Sequence, residues 1–191
     1  TDLKISSDKE KGYFAYSGAV KTEELELGNM LDNEKLGKVT FNLDVEGSHY
    51  DNQYPSIVMK GLIASIDYSD YNYENITLDG EYKQGGFNGK IALDDPNGSI
   101  YLNGDVNVAS KVPTFNFLAV VNKVRPHDLN LTTKYPDAEF SLKLKANFTG
   151  GSVDEMIGEI NVDSLEFRAP DKEYFMKNMN VRATRQDNEN Q

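Results

Sequence analysis

The sequence predicts an all-β chain, a long antiparallel meander curled into an incurved sheet or apolar groove. Three observations predict it. Apolar and polar residues alternate at period two through most of the 191 residues. Glycines recur inside the alternating phrases as well as between them. The joints between phrases are short, so a meander is the simplest antiparallel path.

The chain opens on a strand-like phrase, Thr1-Asp2-Leu3-Lys4-Ile5, as a mature or excised fragment would. Val39, Phe41, Leu43 and Val45 then alternate with Thr40, Asn42 and Asp44, and Gly47 ends that phrase. Ile57 and Met59 follow, with Gly61 and Ile63 in the same phase. Ile76, Leu78, Gly80 and Tyr82 form the next phrase, and Phe87, Gly89, Ile91 and Leu93 the one after it. Asp94-Asp95-Pro96-Asn97-Gly98 is turn chemistry, because proline fixes φ and Asn-Gly tolerates positive φ. Ile100, Leu102, Gly104, Val106 and Val108 continue the series. Phe140, Leu142, Leu144, Ala146 and Phe148 face away from Lys143 and Lys145. Ile160 with Val162, and Leu165 with Phe167, close it.

Two stretches read as helix. Glu23 to Leu36 follows Thr22, a possible N-cap, although Gly28 interrupts it. Pro170 to Lys177 starts with proline at the first position and Asp171 next. Residues 1–185 read as one β-rich segment of a larger protein, and the polar residues 186–191 as a disordered tail.

The glycines at 61, 80, 89 and 104 interrupt neighbouring strands, and mid-strand glycine weakens a strand unless it must bend or approach another backbone. A sheet that curls along a shared line satisfies this pattern. So do the corners of a closed β-sandwich, the alternative architecture.

Composition narrows the function. A net charge of −11, with Lys and Arg scattered singly, disfavours nucleic acid and docking on an anionic leaflet. No stretch approaches the apolar length of a spanning helix, and no basic start precedes an apolar run as in a signal peptide. Zero cysteines exclude disulfides and thiolate chemistry. The Asn-x-Ser/Thr triplets at Asn75, Asn97, Asn130 and Asn147 are what chance gives in an Asn-rich chain.

No catalytic machinery assembles from the sequence, and the chain reads as a non-enzyme without cofactor or metal. His49 and His127 sit in turn-like contexts and lack a partner at ligand spacing, so both read as solvated loop residues. Asp94 and Asp95 read as turn residues, and Asp67, Asp70 and Glu74 as polar faces or loops, although a carboxylate pair is not formally ruled out. Asp70-Tyr71-Asn72-Tyr73-Glu74 has the look of a calcium loop but lacks its glycine and distal glutamate. Tyr68, Tyr71 and Tyr73 offer either a sugar-stacking platform or cross-strand pairs on a wet face. Gly85-Gly86 is a tight turn with no helix after it, and so no phosphate loop.

Three phrases resemble the AsmA/TamB-like family. Leu25-Glu26-Leu27-Gly28-Asn29-Met30-Leu31 is similar to its Leu-x-Leu-Gly-x-Leu-Leu step. The run from Phe148 through Gly150-Gly151 and Met156-Ile157-Gly158 to Val162 looks like a second hallmark, and Asn75 to Lys83 like a third. The likeness spans about Gly18 to Phe167 and is nearest to the TamB-type translocation and assembly module proteins of Bacteroidetes. It implies a periplasmic section of an envelope protein with an inner-membrane anchor. It also implies an apolar β-groove that holds or conducts phospholipid between membranes, or assists outer-membrane protein assembly. The partners implied are an acyl-chain ligand and an outer-membrane assembly protein. No catalytic residue carries over; what carries over is a face. On this chain that lipid-facing face is Phe41, Leu43, Val45, Ile76, Leu78, Ile91, Leu93, Ile100, Leu102, Phe140, Leu142 and Leu144. The same residues could instead pack a closed core, as in a structural or adhesive sandwich of the cell surface.

Overall fold

The structure is a computed structural model that describes residues 2–51 and 53–184. The 186–191 tail read as disordered lies outside the described residues. Eleven strands follow one another: β1 (Asp2–Asp8), β2 (Tyr13–Glu26), β3 (Leu36–Tyr50), β4 (Ser56–Tyr68), β5 (Tyr71–Lys83) and β6 (Gly86–Asp95), then β7 (Gly98–Asn107), β8 (Thr114–Val124), β9 (Glu139–Thr149), β10 (Ile157–Ala169) and β11 (Lys172–Ala183). They form one sheet in strict sequence order, every neighbouring pair antiparallel. β1 and β11 do not pair, so the sheet is open.

Each strand packs against its sequence neighbours and no other strand to any substantial extent. The closed sandwich is therefore not the architecture: among the described residues no second layer lies against this one. The accessible surface tells the same story. It is 13257 Å² for a 21.4 kDa chain, whereas a compact monomer of that mass exposes about 9,100 Å². Only nine apolar side chains among the described residues are buried, three of them alanines. A two-layer fold of this size would bury far more.

Both predicted long helices are corrected. Of Glu23 to Leu36, only α1 (Leu27–Leu31) is helical; β2 runs on to Glu26 and β3 starts at Leu36. A bulge between Thr22 and Leu25, with Glu24 at φ 50°, keeps the chain paired where periodicity alone had hinted at helix. The helix occupies the Leu-x-Leu-Gly phrase because Gly28 packs where no side chain fits, its missing Cβ falling on the Leu36 carbonyl. Pro170 and Asp171 turn the chain instead of starting a helix, and β11 follows.

The glycines split between two rows. Gly80, Gly89 and Gly104 are direct cross-strand partners on β5, β6 and β7. Gly61 sits one row away, between Leu43 and Leu78. Gly89 and Gly104 have φ of 155° and 153°, open to glycine but strained for other residues. In both, a Cβ would run into the backbone of the adjacent strand, Asp79 and Gly80 for one, Asn116 and Phe117 for the other. These are the bends that the mid-strand glycines announced.

Candidate functional site: an uncovered apolar face

Pairing register, more than any loop, builds the site. Cross-strand partners project to the same face, so partner-to-partner tracing gives continuous rows. One row runs Phe41, Ile63, Ile76, Leu93, Ile100, Val121, Leu142, Leu165, Met176 from β3 to β11. The next runs Leu43, Gly61, Leu78, Ile91, Leu102, Ala119, Leu144, Val162, Met179. Val45 lies in the glycine row, and Phe140 pairs with Val124 and Phe167. The structure thus places all twelve residues singled out from the sequence on one face.

Eleven strands at ~4.8 Å spacing make that face about 50 Å wide. Most of its side chains are half-buried by their neighbours alone; Leu43 and Leu93 are buried, while Leu102 stays 37 % exposed. Soluble proteins usually leave only a few hundred Å² of contiguous apolar surface bare. The opposite face is wet. Asp44, Lys60, Asp79 and Lys90 form an alternating charged row on it, with Lys60 Nζ 3.3 Å from Asp79. A depression of about 440 Å³ lined by Asn103, Asn116, Lys145 and Asn147 also opens on that face, away from the apolar rows.

One edge of the apolar face is strapped. The β8–β9 connection, residues 125–138, reaches back to β5, where the Tyr73 hydroxyl donates to the Leu129 carbonyl at 2.7 Å. Asn130 Nδ2 donates to the Ser69 carbonyl at 3.2 Å, and the Tyr135 ring meets Phe167 of β10 edge-on at 5.6 Å. Leu129, a residue of the strap itself, is the most buried side chain described. Tyr73 and Tyr71 pack edge to face at 4.7 Å. Tyr71 donates to Asp95 at 2.6 Å, and Asp95, buried, also accepts from the Asn97 and Glu74 backbone amides.

This locks in several corrections. Tyr71 and Tyr73 lie on the apolar side and not on the wet face; Tyr73 bonds the strap at Leu129, and Tyr71 bonds Asp95 at the β6–β7 turn. Asp95, read as a turn residue, is the last residue of β6 and a buried acceptor under the turn. Asn72, of the Asp70–Glu74 segment, lies in β5 and donates to Asp67 of β4 at 2.6 Å, and Asp67 also accepts from the Lys38 amide. Among the described residues no group of three His, Cys, Asp or Glu is placed to hold a metal. His49 lies in β3 opposite Phe14, not in a loop, with its Nδ1 buried and unpartnered; His127 is in the strap, half-exposed beside Asp128.

Two expected results test these tyrosine contacts. Tyr73→Phe removes one hydrogen bond and should cost on the order of 1 kcal/mol in urea unfolding, with faster amide exchange at Leu129 to Leu131. Burial, and next the bond to Asp95, push the Tyr71 phenol up to about 12. The unfolded phenol ionises near 10, so this stabilisation is complete below pH 10 and lost as pH rises toward 12. Wild type should lose more stability than Tyr71→Phe between pH 9 and pH 11.5; equal losses would show that Tyr71 does not couple to folding.

No family model, no curated protein and no solved structure matches this chain.

Proposed function

We propose that the chain is a non-catalytic periplasmic section of an AsmA/TamB-like envelope protein, holding or conducting phospholipid acyl chains on its apolar face. The observation that carries the reading is the uncovered apolar surface itself: rows of Leu, Ile, Val, Phe and Met cross nine strands with no second layer over them. Water is a poor solvent for such a face, and acyl chains match it without needing a single polar contact. The motif likeness of Leu25 to Leu31 and of Phe148 to Val162 supports the family. On this reading the parent protein is anchored in the inner membrane, and an outer-membrane assembly protein is its partner. A sheet about 50 Å wide is one section of a longer conduit, since it is too short to bridge two membranes.

Native mass spectrometry with lipid extraction, on protein purified from the envelope without detergent, tests the proposal. Bound phospholipid is the expected result. A lipid-free, monomeric, fully folded chain would sink it.

A further inference from the structure

We infer that the strap orients the bound lipid: acyl chains lie along the strands with their ends against it, and headgroups leave at the opposite rim, beside Tyr16 and Tyr82. The inference rests on the phospholipid reading and specifies how that ligand sits.

The strap end of the face is closed. Residues 125–138 leave β8, reach the β4–β5 turn through Asn130 and β5 through Leu129, and return past Phe167 of β10. Leu129 and Ala138 of the strap are buried, and so are Leu93 of β6 and Val124 of β8. The Tyr71 and Tyr73 hydroxyls and the Asp95 carboxylate at this end are already bonded within the protein. A phosphate entering here would have to break those bonds or unseat a packed cluster, and would lose its water in doing so. The methyl end of an acyl chain, meeting Ile76, Leu93 and Ile100, needs no such rearrangement.

The other end is built differently. Among the described residues it carries no such strap: β5 and β6 join through Gln84 and Gly85 alone, and Val108 and Val112 of the β7–β8 connection stand exposed. Partner-to-partner tracing there gives a row that the sequence did not announce, Ile57, Tyr82, Phe87, Val106, Phe115 and Phe148. Tyr16 joins it through Gly47, which pairs with both Tyr16 and Ile57. Phe115 and Phe148 stack at 4.6 Å, and Tyr16 and Tyr82 are half-buried. A tyrosine has an apolar body and a polar tip, which suits the level where hydrocarbon gives way to water.

Length agrees with this orientation. Ile76 and Tyr82 on β5, Leu93 and Phe87 on β6, and Ile100 and Val106 on β7 are each six residues apart. The two rows therefore lie ~20 Å apart along the sheet. One leaflet of a bilayer holds about 15 Å of hydrocarbon. A chain laid along the strands thus fills the face from the strap to the aromatic row, and its glycerol and phosphate emerge into water. A chain laid across the strands would hold its headgroup over Leu78, Ile91 and Leu102, where the charge is desolvated.

The chain has no tryptophan, so single-tryptophan variants report from chosen places. Phe148→Trp reports from the open rim, and Phe140→Trp, beside Val124 and Phe167, from the strap end. Each is loaded with phosphatidylcholine carrying a nitroxide either on the headgroup or near the end of an acyl chain. The headgroup label should quench the fluorescence of Phe148→Trp severalfold more than that of Phe140→Trp, and the chain-end label should do the reverse. Leu142→Trp, in the row nearest the strap, replaces Phe140→Trp should circular dichroism show that variant unfolded. If both labels quench both variants alike, or in the opposite sense, lipid is held without this orientation and the inference falls alone. If neither label quenches any variant, phospholipid is not held on this face, and the reading and the inference fall together.

Discussion

Leu102→Glu is expected to strip bound phospholipid while leaving strand content and unfolding midpoint almost unchanged. Leu102 lies at the middle of the apolar face yet is 37 % exposed, so a carboxylate there can keep its water. Near a bound acyl chain the same carboxylate would have to be desolvated, or the chain withdrawn. Leu43→Glu is the matched control. Leu43 is 8 % exposed between Val20 and Gly61, and a charge buried there should destabilise by roughly 3 kcal/mol or more. Lipid extraction alongside circular dichroism separates the cases. If Leu102→Glu unfolds the protein as Leu43→Glu does, the face is a core and the proposed function fails. Leu78→Glu and Leu142→Glu, on β5 and β9, extend the test along the two rows.

Gly104→Val is expected to have the largest effect on stability of any single change considered. A side chain at φ 153° carries backbone strain of about 1–3 kcal/mol. The new Cβ would also fall on the Asn116 carbonyl and the Phe117 Cα, both backbone atoms that cannot swing aside. Together these should cost at least ~3 kcal/mol, enough to abolish cooperative unfolding of an open sheet. Gly151→Ala is the contrast. Its Cβ would meet only side-chain atoms of Glu155 and Pro113 at 3.6 Å and beyond, and its φ is ordinary. Urea denaturation of the pair should show a steep loss in the first and little change in the second. Comparable midpoints would mean that the β7–β8 bend does not need glycine.

The strands that read clearly from sequence were those facing one dry and one wet side. Phe41, Leu43 and Val45 alternate cleanly with Asn42 and Asp44, so their face was visible without any partner. β8 escaped that reading because Phe117, Leu118, Ala119, Val120 and Val121 are apolar without a break. A continuous run shows no period, and only register assigns its faces. β11 was mistaken for helix because Pro170 and Asp171 imitate a helix start and Tyr174, Phe175 and Met176 are consecutive apolars. A kink at Asn178, where φ is 54°, breaks the alternation further. The strap was invisible for another reason. Tyr73 and Leu129 stand 56 positions apart, and nothing local to either specifies the bond between them. Of the mid-strand glycines, the bends were legible; the row offset of Gly61 was not, since it follows from the β4–β5 register, in which Met59 rather than Gly61 faces Gly80.

Because each strand leans only on the two beside it, the molecule is closer to a ribbon than to a globule in how it must gain and lose order. Such a chain pairs only strands adjacent in sequence, so order can spread hairpin by hairpin from whichever forms first. Its cohesion is then a sum of nearest-neighbour steps, as in repeat proteins, rather than one all-or-none core. Outside the span that the strap ties together, β5 to β10, whole hairpins can be added to or removed from such a ribbon without disturbing the rest. Width, and with it the span of the apolar face, thereby becomes a quantity that evolution can adjust two strands at a time.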